Sequence, residues 1–155
     1  MRIRLVAVGR RMPPWVDEGV REYTRRLRQG CTLEVVAVDA VTRHKNTDPA
    51  RAMAEEGRRL LRAAGAAHRV ALDGRGSPWS TEDLAARLER WSHHGGEVAL
   101  LVGGADGLDP HTLAQCPERW SLGPLTLPHP LVRIIVAEQI YRAWSLNQGH
   151  PYHRA

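Results

Sequence analysis

Long hydrophobic runs and clustered cysteines are absent from this sequence. No stretch of about 18 consecutive apolar residues occurs, so we expect no membrane-spanning helix. The apolar stretch Met1–Val8 is too short and too charged to be a signal peptide. The two cysteines, Cys31 and Cys116, are isolated and lack metal-ligand spacing, which argues against a zinc site and favours a reduced, cytoplasmic setting.

The fingerprints of common nucleotide-binding classes are also missing. Gly103–Leu108 contains glycines, but no Gly-Lys-Ser/Thr follows them and they are not spaced as GxGxxG. The first expected strand–helix junction, Val8–Pro13, carries no dinucleotide fingerprint either. These absences argue against an NAD enzyme, a Rossmann-type methyltransferase and a phosphate-binding regulator.

Phenylalanine is absent and lysine occurs once, at Lys45, whereas arginine supplies the other 21 of the 22 basic residues. The positive charge is also localised: residues 1–45 contain ten basic and five acidic side chains, and residues 46–155 contain twelve of each. A localised basic surface attracts a polyanion, and guanidinium groups match phosphate geometry, so nucleic acid is a candidate partner. The stripe Arg21, Arg25 and Arg28 is equally compatible with a solvated helix face that pairs locally, for example through Asp17.

The hydrophobic pattern predicts one α/β domain over residues 1–155, without repeats or linkers. Strands are predicted at Ile3–Val8, Thr32–Val38, Arg69–Leu72, Val98–Val102 and Trp120–Leu122. Helices are predicted from Val16 to Leu27, over Pro49–Ala64, from Ser80 or Thr81 to Trp91, and over Leu131–Leu146, with a loop at Asp73–Pro78. This order predicts a mostly parallel sheet with helices on both faces, and such sheets bind ligands beyond the carboxyl ends of their strands.

Two segments at those strand ends are candidate ligand-binding loops. Gly103 and Gly104 follow an apolar strand and would let the backbone approach a ligand closely, although an ordinary turn is the alternative. Residues 122–130 contain three prolines, which exclude regular helix and fix main-chain groups in place. Those groups suit an adenine edge and a ribose, with leucines packing on the base. The alternative is a rigid connector beneath the last helix.

The C-terminal tail concentrates side chains that read unpaired RNA bases: His150, Tyr152, His153 and Arg154. We expect Pro151 to stiffen this tail and to project it away from the last helix. One arginine of the last helix, Arg142, also carries a structural alternative. Arg133 lies one turn after His129, and Arg142 lies four residues after Glu138, a spacing that favours a structural ion pair.

Five segments together resemble the bacterial ribosomal RNA large subunit methyltransferase H family: Leu5–Gly9, Leu101–Leu108, Leu125–Arg133, Tyr141–Trp144 and His150–Arg154. The resemblance runs over essentially the whole chain. It implies a SPOUT-type fold with a C-terminal trefoil knot, and S-adenosyl-L-methionine as the methyl donor without a metal. The implied reaction is methylation of N3 of a pseudouridine in 23S ribosomal RNA of the assembled ribosome. The implied assembly is a cytoplasmic homodimer, with no membrane partner, in which each site is completed by the partner subunit.

Carried over by position, the resemblance implies these donor contacts: Leu72, Gly103, Leu122, Gly123, Pro124, Leu125, Thr126 and Leu127. A base or a polarising cation near the pseudouridine N3–H would assist the reaction. The candidates for the nucleoside side are His129, Arg142, Tyr152 and His153, and the choice of a proton acceptor among them is open. The competing hypothesis is a non-catalytic ribosome-binding or assembly factor, which the basic first third of the sequence would suit equally well.

Overall fold

A computed structural model describes residues 1–154, apart from the side chain of His153, and contains one five-stranded parallel sheet. Its strands are β1 (Arg2–Val8), β2 (Thr32–Val38), β3 (His68–Pro78), β4 (Glu97–Val102) and β5 (Glu118–Ser121). They pair in the order β2-β1-β4-β3-β5, and every pairing is parallel. The predicted α/β class and parallel sheet are therefore confirmed.

The helices are α1 (Pro14–Thr24), α2 (Pro49–Ala64), α3 (Thr81–His93), α4 (Pro110–Ala114) and α5 (His129–Asn147), followed by a 3-10 turn at Pro151–His153. Proline occupies the first turn of every one of these except α3. The start of α3 instead has a capping box, in which the Asp83 amide donates to Ser80 and the Ser80 amide donates to the Asp83 carboxylate.

The core has two layers, one on each face of the sheet. Alternate side chains of β1 and β4 point to opposite faces, as the period of a strand requires. Ile3 and Leu100 pack with α1, α3 and α5, whereas Val6 and Leu101 pack with α2 and α4. The predicted placement of helices on both faces is therefore confirmed. Within residues 1–154, no helix is long and apolar enough to cross a bilayer.

Several predicted boundaries differ from the structure. β3 continues past Leu72 to Pro78, and Ser77 and Pro78 pair with β5 again after a shift in register, so the predicted loop at Asp73–Pro78 is wrong. α1 ends at Thr24, three residues before the predicted end at Leu27. Leu27 is nevertheless buried, in the turn that follows the helix. α5 begins at His129, two residues before the predicted start at Leu131. β5 lies at Glu118–Ser121 instead of the predicted Trp120–Leu122. α4 was not predicted, since five residues are too few to show a helical period.

The C-terminal tail folds back instead of projecting away from α5, so that expectation is wrong. Gly149 adopts a positive φ of 68°, and the His150 amide then donates to the Ser145 carbonyl at 2.9 Å. The Tyr152 ring packs against Tyr141, with the ring centroids 4.6 Å apart. The tail therefore covers part of the surface of α5.

Candidate functional site

A cavity of about 740 Å³ opens beyond the carboxyl ends of the strands, where parallel sheets bind their ligands. Its volume lies in the range typical of small-molecule sites, roughly 300–1,000 Å³. Its floor comes from the strands: Val8 and Val102 at the ends of β1 and β4, Leu72 within β3 and Trp120 within β5. Residues 103–107 and 122–127 form its walls, and α5 contributes His129 and Val132. All the donor contacts implied by the resemblance thus line one cavity.

The first wall is a tight turn that needs glycine for packing. A Cβ on Gly103 would lie 2.5 Å from the carbonyl carbon of Gly107 and 2.7 Å from its oxygen, closer than real Cβ contacts. The Gly107 amide donates to the Gly104 carbonyl at 3.0 Å and closes the turn. The segment is therefore a structural turn, which was one of the two alternatives, and it also forms a wall of the cavity.

A buried ion pair supports this turn from behind. Glu56 of α2 is 1% exposed and accepts hydrogen bonds from the Arg43 guanidinium and from the Val41 amide. Arg43 also bridges to Asp106 at 3.1 Å, and its pKa is raised above the ordinary value, chiefly by the hydrogen bond to Glu56. A Cβ on Gly104 would lie 2.8 Å from Glu56 Oε1. The pair therefore fixes residues 41–43 and the turn at 103–107 against α2.

The second wall, residues 122–127, is apolar and partly open to solvent. Leu125 is 77% exposed, whereas Leu122 and Leu127 are partly buried. Gly123 has a φ of 115°, which other residues rarely adopt, and the Ser121 hydroxyl hydrogen-bonds with the Gly123 backbone. The wall thus offers fixed main-chain groups and aliphatic side chains to a ligand, in agreement with the sequence-based interpretation.

Asp73 gives this cavity its charge. It is the single charged side chain among the cavity-lining residues of the described chain, and neither lysine nor arginine is among them. Its Oδ1 accepts from the Arg75 amide at 3.2 Å and from the Arg75 guanidinium at 3.4 Å, whereas its buried Oδ2 has no hydrogen-bond partner among residues 1–154. Arg75 is 78% exposed and is not among the lining residues, so solvent screens its charge, and a phosphate-bearing ligand would still meet the Asp73 carboxylate in the cavity. The chemistry therefore favours a ligand with a positive charge.

The partly buried His129 contacts the buried Arg133 where α5 meets the cavity. Arg133 is 3% exposed, and its Nη2 donates to the Gly9 carbonyl at 2.6 Å and faces His129 Nε2 at 3.4 Å. The pKa of His129 is lowered, first by burial and then by Arg133, against an opposing hydrogen bond with the Gly103 backbone. Burial also lowers the pKa of Arg133.

Arg142 of α5 and Tyr152 of the 3-10 turn that follows are not among the residues that line the cavity. Arg142 Nε donates to Glu138 at 2.9 Å, which confirms the ion pair that the spacing indicated. The Tyr152 hydroxyl donates to the same carboxylate at 3.1 Å, and burial, followed by Glu138, raises the pKa of Tyr152 to about 12. Arg142 is thirteen residues after His129, about 20 Å along the helix axis. One chain therefore does not bring these side chains together, and the His153 side chain lies outside the described residues.

The arginines that follow the end of α1 make local contacts. Arg25 and Arg26 both pair with Glu22, and Arg28 donates to the carbonyls of Arg25 and Leu27. The local carboxylate is thus Glu22 rather than the expected Asp17. Arg21, Arg25 and Arg28 nevertheless remain exposed, so an outer contact with phosphates is still sterically open.

Three supporting residues of the site were not predicted. Asp73 was included in a loop without a role, and the pair Arg43 and Glu56 is separated by thirteen positions in sequence. Residues 1–154 contain no group of three or more His, Cys, Asp or Glu side chains that could hold a metal ion.

Comparison with known proteins extends over the full chain. A family described as "Predicted SPOUT methyltransferase" matches residues 1–153. A protein from Alkalilimnicola ehrlichii named ribosomal RNA large subunit methyltransferase H is 59% identical over 155 residues, which is 100% of both chains. Proteins of the same name from Ectopseudomonas mendocina and Pseudomonas putida are 54% and 53% identical, over 99% of this chain and 100% of theirs. On this similarity, the chain belongs to the ribosomal RNA large subunit methyltransferase H family of SPOUT methyltransferases.

Proposed function

We propose that this protein transfers a methyl group from S-adenosyl-L-methionine to N3 of a pseudouridine in 23S ribosomal RNA. The observation that carries the proposal is the cavity beyond the strand ends, with two backbone-rich walls and Asp73 as its charged lining residue. The methyl donor has a sulfonium, an ammonium and a carboxylate, and hence a net positive charge. Dinucleotides and nucleoside triphosphates are anionic and suit this lining poorly. The names of the relatives supply the substrate class, ribosomal RNA.

The residues of the cavity fit the methyl donor. Leu72 and the leucines of 122–127 offer apolar surface for adenine, and the main chain of Gly123, Pro124 and Thr126 offers polar groups for its edge and the ribose. Gly103 has no side chain to obstruct the ligand. When bound, the donor supplies an electrophilic methyl group, whose transfer neutralises the sulfonium. The task of these residues is to align that group and to exclude water.

Arg142, Tyr152 and His153 act on the nucleoside side in this proposal, and the partner subunit of a homodimer brings them to the cavity. The separation of about 20 Å along α5 supports this arrangement, because a single chain keeps Arg142 away from His129. Exposed apolar side chains at the starts of α1 and α5 support a dimer: Trp15 is 49% exposed and Leu131 is 40% exposed. Arg142 keeps its charge, since the hydrogen bond to Glu138 raises its pKa, and a cation favours loss of the N3 proton.

The proposal extends to the whole chain and its setting. Residues 1–155 act as one SPOUT domain whose C-terminal part forms a trefoil knot, and the substrate is the assembled ribosome in the cytoplasm. The charge distribution supports a large polyanionic partner, because the excess of basic residues lies in residues 1–45, where Arg10, Arg11 and Arg21 are exposed.

Two measurements test this function. Mass spectrometry of ribosomal RNA from a strain without the gene should show one pseudouridine lacking its methyl group, and the purified protein with labelled donor should restore it. Calorimetry should show binding of S-adenosyl-L-methionine to the purified protein. A protein that binds ribosomes but neither binds the donor nor changes the RNA would instead be a non-catalytic assembly factor.

A further inference from the structure

The carboxylate of Glu118 gathers three hydrogen-bond donors at the start of β5. Its Oε2 lies 2.6 Å from His68 Nε2 and accepts from Trp91 Nε1 at 2.9 Å, and its Oε1 accepts from Arg87 Nε at 2.9 Å. The Glu118 side chain is 21% exposed and one of its donors is a cation, so this is a partly buried, charge-assisted network. It ties β5 to the first residue of β3 and to two residues of α3.

The position of β5 matters for the cavity. The strand has four residues, lies at the edge of the sheet and pairs with β3, with a shift in register between Leu72 and Ser77. An edge strand is supported by backbone pairing on one side, so side-chain contacts contribute more to its placement. Trp120 of this strand belongs to the cavity floor, and the second wall begins directly after the strand, at Leu122. A displacement of β5 would therefore move both floor and wall.

Trp120 stacks on a second indole that the same network contacts. Side chains two residues apart on a strand point to the same face, so Trp120 lies on the side of β5 that carries Glu118. Its ring is nearly parallel to that of Trp79, with the centroids 5.2 Å apart and the planes at 9°. The guanidinium carbon of Arg87 lies 3.9 Å from the centre of the Trp79 ring, and Trp91 packs against that ring at 6.3 Å. Two of the three donors to Glu118 thus also contact the partner of Trp120.

Trp79 depends on these packing contacts. Its Nε1 is buried and has no hydrogen-bond partner within the described part of the chain, so no polar contact of the indole fixes the ring. A guanidinium is planar and stacks on aromatic rings, and Glu118 orients the guanidinium of Arg87 through its Nε. The order of contacts is therefore from Glu118 to Arg87, from Arg87 to Trp79, and from Trp79 to the cavity floor at Trp120.

We infer that Glu118 is a positioning residue that holds Trp120 and the adjoining wall at 122–127 in their donor-binding arrangement. Glu118 does not itself line the donor cavity and lies at the opposite end of β5 from the wall, so it acts through the side chains that it orients. The inference rests on the proposed donor site. Because the role is to set the shape of the site, it predicts equal effects on ligands that differ in charge.

Calorimetry with two ligands tests this role. Glu118→Gln keeps the size of the side chain, but its amide nitrogen donates hydrogen bonds, so at least one of the three donors loses its acceptor. We expect binding of S-adenosyl-L-methionine, and of its product S-adenosylhomocysteine, to weaken by about tenfold each, the order expected for one hydrogen bond with a charged group. The measurements are made well below the thermal midpoint of the variant, where the protein is folded.

Glu97→Gln is the matched control. Glu97 begins β4 at the same end of the sheet, but its side chain is 54% exposed and its ion pair with Arg2 spans 3.7 Å. The same change of carboxylate to amide should leave the affinity for both ligands at the wild-type value.

Arg87→Lys tests the next contact in the network. Lysine keeps a cation near Glu118 but lacks the planar group that lies over Trp79. We expect about threefold weaker binding of both ligands. Without ligand, Glu118→Gln and Arg87→Lys should both reduce the far-ultraviolet circular dichroism couplet of the stacked indoles, which is assigned by its loss in Trp79→Phe.

Three results would overturn the inference. The first is wild-type affinity in Glu118→Gln and Arg87→Lys, including the case in which only their thermal midpoints fall, because Glu118 would then serve stability alone. The second is a loss confined to S-adenosyl-L-methionine, which would mean that Glu118 acts by its charge. The third is an unchanged couplet in both variants. Absence of donor binding by the wild type would instead refute the proposed function.

Discussion

Gly103 is constrained by its own chain as well as by a ligand. A Cβ at this position meets the Gly107 carbonyl group, so even alanine has to displace the turn. We therefore predict that Gly103→Ala weakens binding of S-adenosyl-L-methionine by at least about tenfold, measured by calorimetry, while the thermal midpoint changes little because the turn is at the surface.

Gly74→Ala is the matched control for this prediction. Gly74 also lines the cavity, but a Cβ there meets no protein atom within 4 Å, and its φ is not positive. The affinity of the Gly74→Ala variant for S-adenosyl-L-methionine should stay closer to that of the wild type than the affinity of Gly103→Ala does. Equal losses in both variants would mean that the packing of Gly103 on Gly107 is not what matters.

Asp73 should distinguish the charged donor from its uncharged product. Two charges about 10 Å apart attract by ~1.7 kcal/mol at an effective dielectric constant of ~20, which corresponds to more than tenfold in affinity. We predict that Asp73→Asn weakens binding of S-adenosyl-L-methionine by about tenfold and leaves S-adenosylhomocysteine, which lacks the sulfonium charge, nearly unaffected. Calorimetry with both ligands measures how much affinity the Asp73→Asn variant loses for each of them. Parallel losses for the two ligands would show that Asp73 acts by shape or hydrogen bonding instead.

At the scale of residues, sequence signals found the walls of the cavity but not what supports them. Gly103 and the proline-rich 122–127 were recognisable because glycine and proline restrict the backbone locally. Arg43 and Glu56 were not, because their pairing depends on how α2 packs against the loop after β2. His129 was recognised as a candidate site residue, whereas its contact with Arg133 needed coordinates.

At the scale of elements, the connection of α2 to the loop after β2 should depend on one buried charge. Glu56 has a side chain 2% exposed, so removal of its partner in Arg43→Met leaves a carboxylate buried without a cation. We predict that this variant loses about 3 kcal/mol of unfolding free energy, measured by urea denaturation. Addition of Glu56→Gln should recover part of the loss, because the uncompensated charge is then gone.

Glu55 is the control for this pair. It occupies the next position on α2 and pairs with Arg58 and Arg59, but its side chain is 41% exposed. Exposed ion pairs contribute little, so Glu55→Gln should change the unfolding free energy by less than about 1 kcal/mol. Similar losses for Arg43→Met and Glu55→Gln would contradict the special role of the buried pair.

Element prediction from the sequence succeeded where a periodic pattern was long. The strands β1, β2 and β4 and the helix α2 follow from runs of apolar residues and clear end signals. The second half of β3 did not, because Asp73–Pro78 has turn composition and only its partner, β5, makes Ser77 and Pro78 a strand. The fold-back of the tail likewise depends on a tertiary contact, the packing of Tyr152 on Tyr141.

At the scale of the whole molecule, the proposed site requires an oligomer, because the two groups of proposed site residues lie about 20 Å apart along α5. We predict that light scattering at micromolar concentration gives twice the chain mass of 17.3 kDa. Trp15→Glu should shift the protein toward the monomer, because a charge would replace an exposed indole in the proposed interface. A wild-type monomer with full methyl transfer would refute a site shared between subunits.

The C-terminal tail should contribute to stability and, more strongly, to methyl transfer. Tyr152 packs on Tyr141 and donates to Glu138, so deletion of residues 151–155 removes both contacts. We predict that the thermal midpoint falls by about 5 °C, as expected for a loss of ~2 kcal/mol in a chain of this length. Single-turnover methylation of ribosomes from a strain without the enzyme should fall by at least about 100-fold, because the partner subunit then lacks the residues that orient the nucleoside. Tyr152→Phe keeps the ring contact and should recover most of the stability. Wild-type transfer by the truncated protein would show that the tail serves only to cover α5.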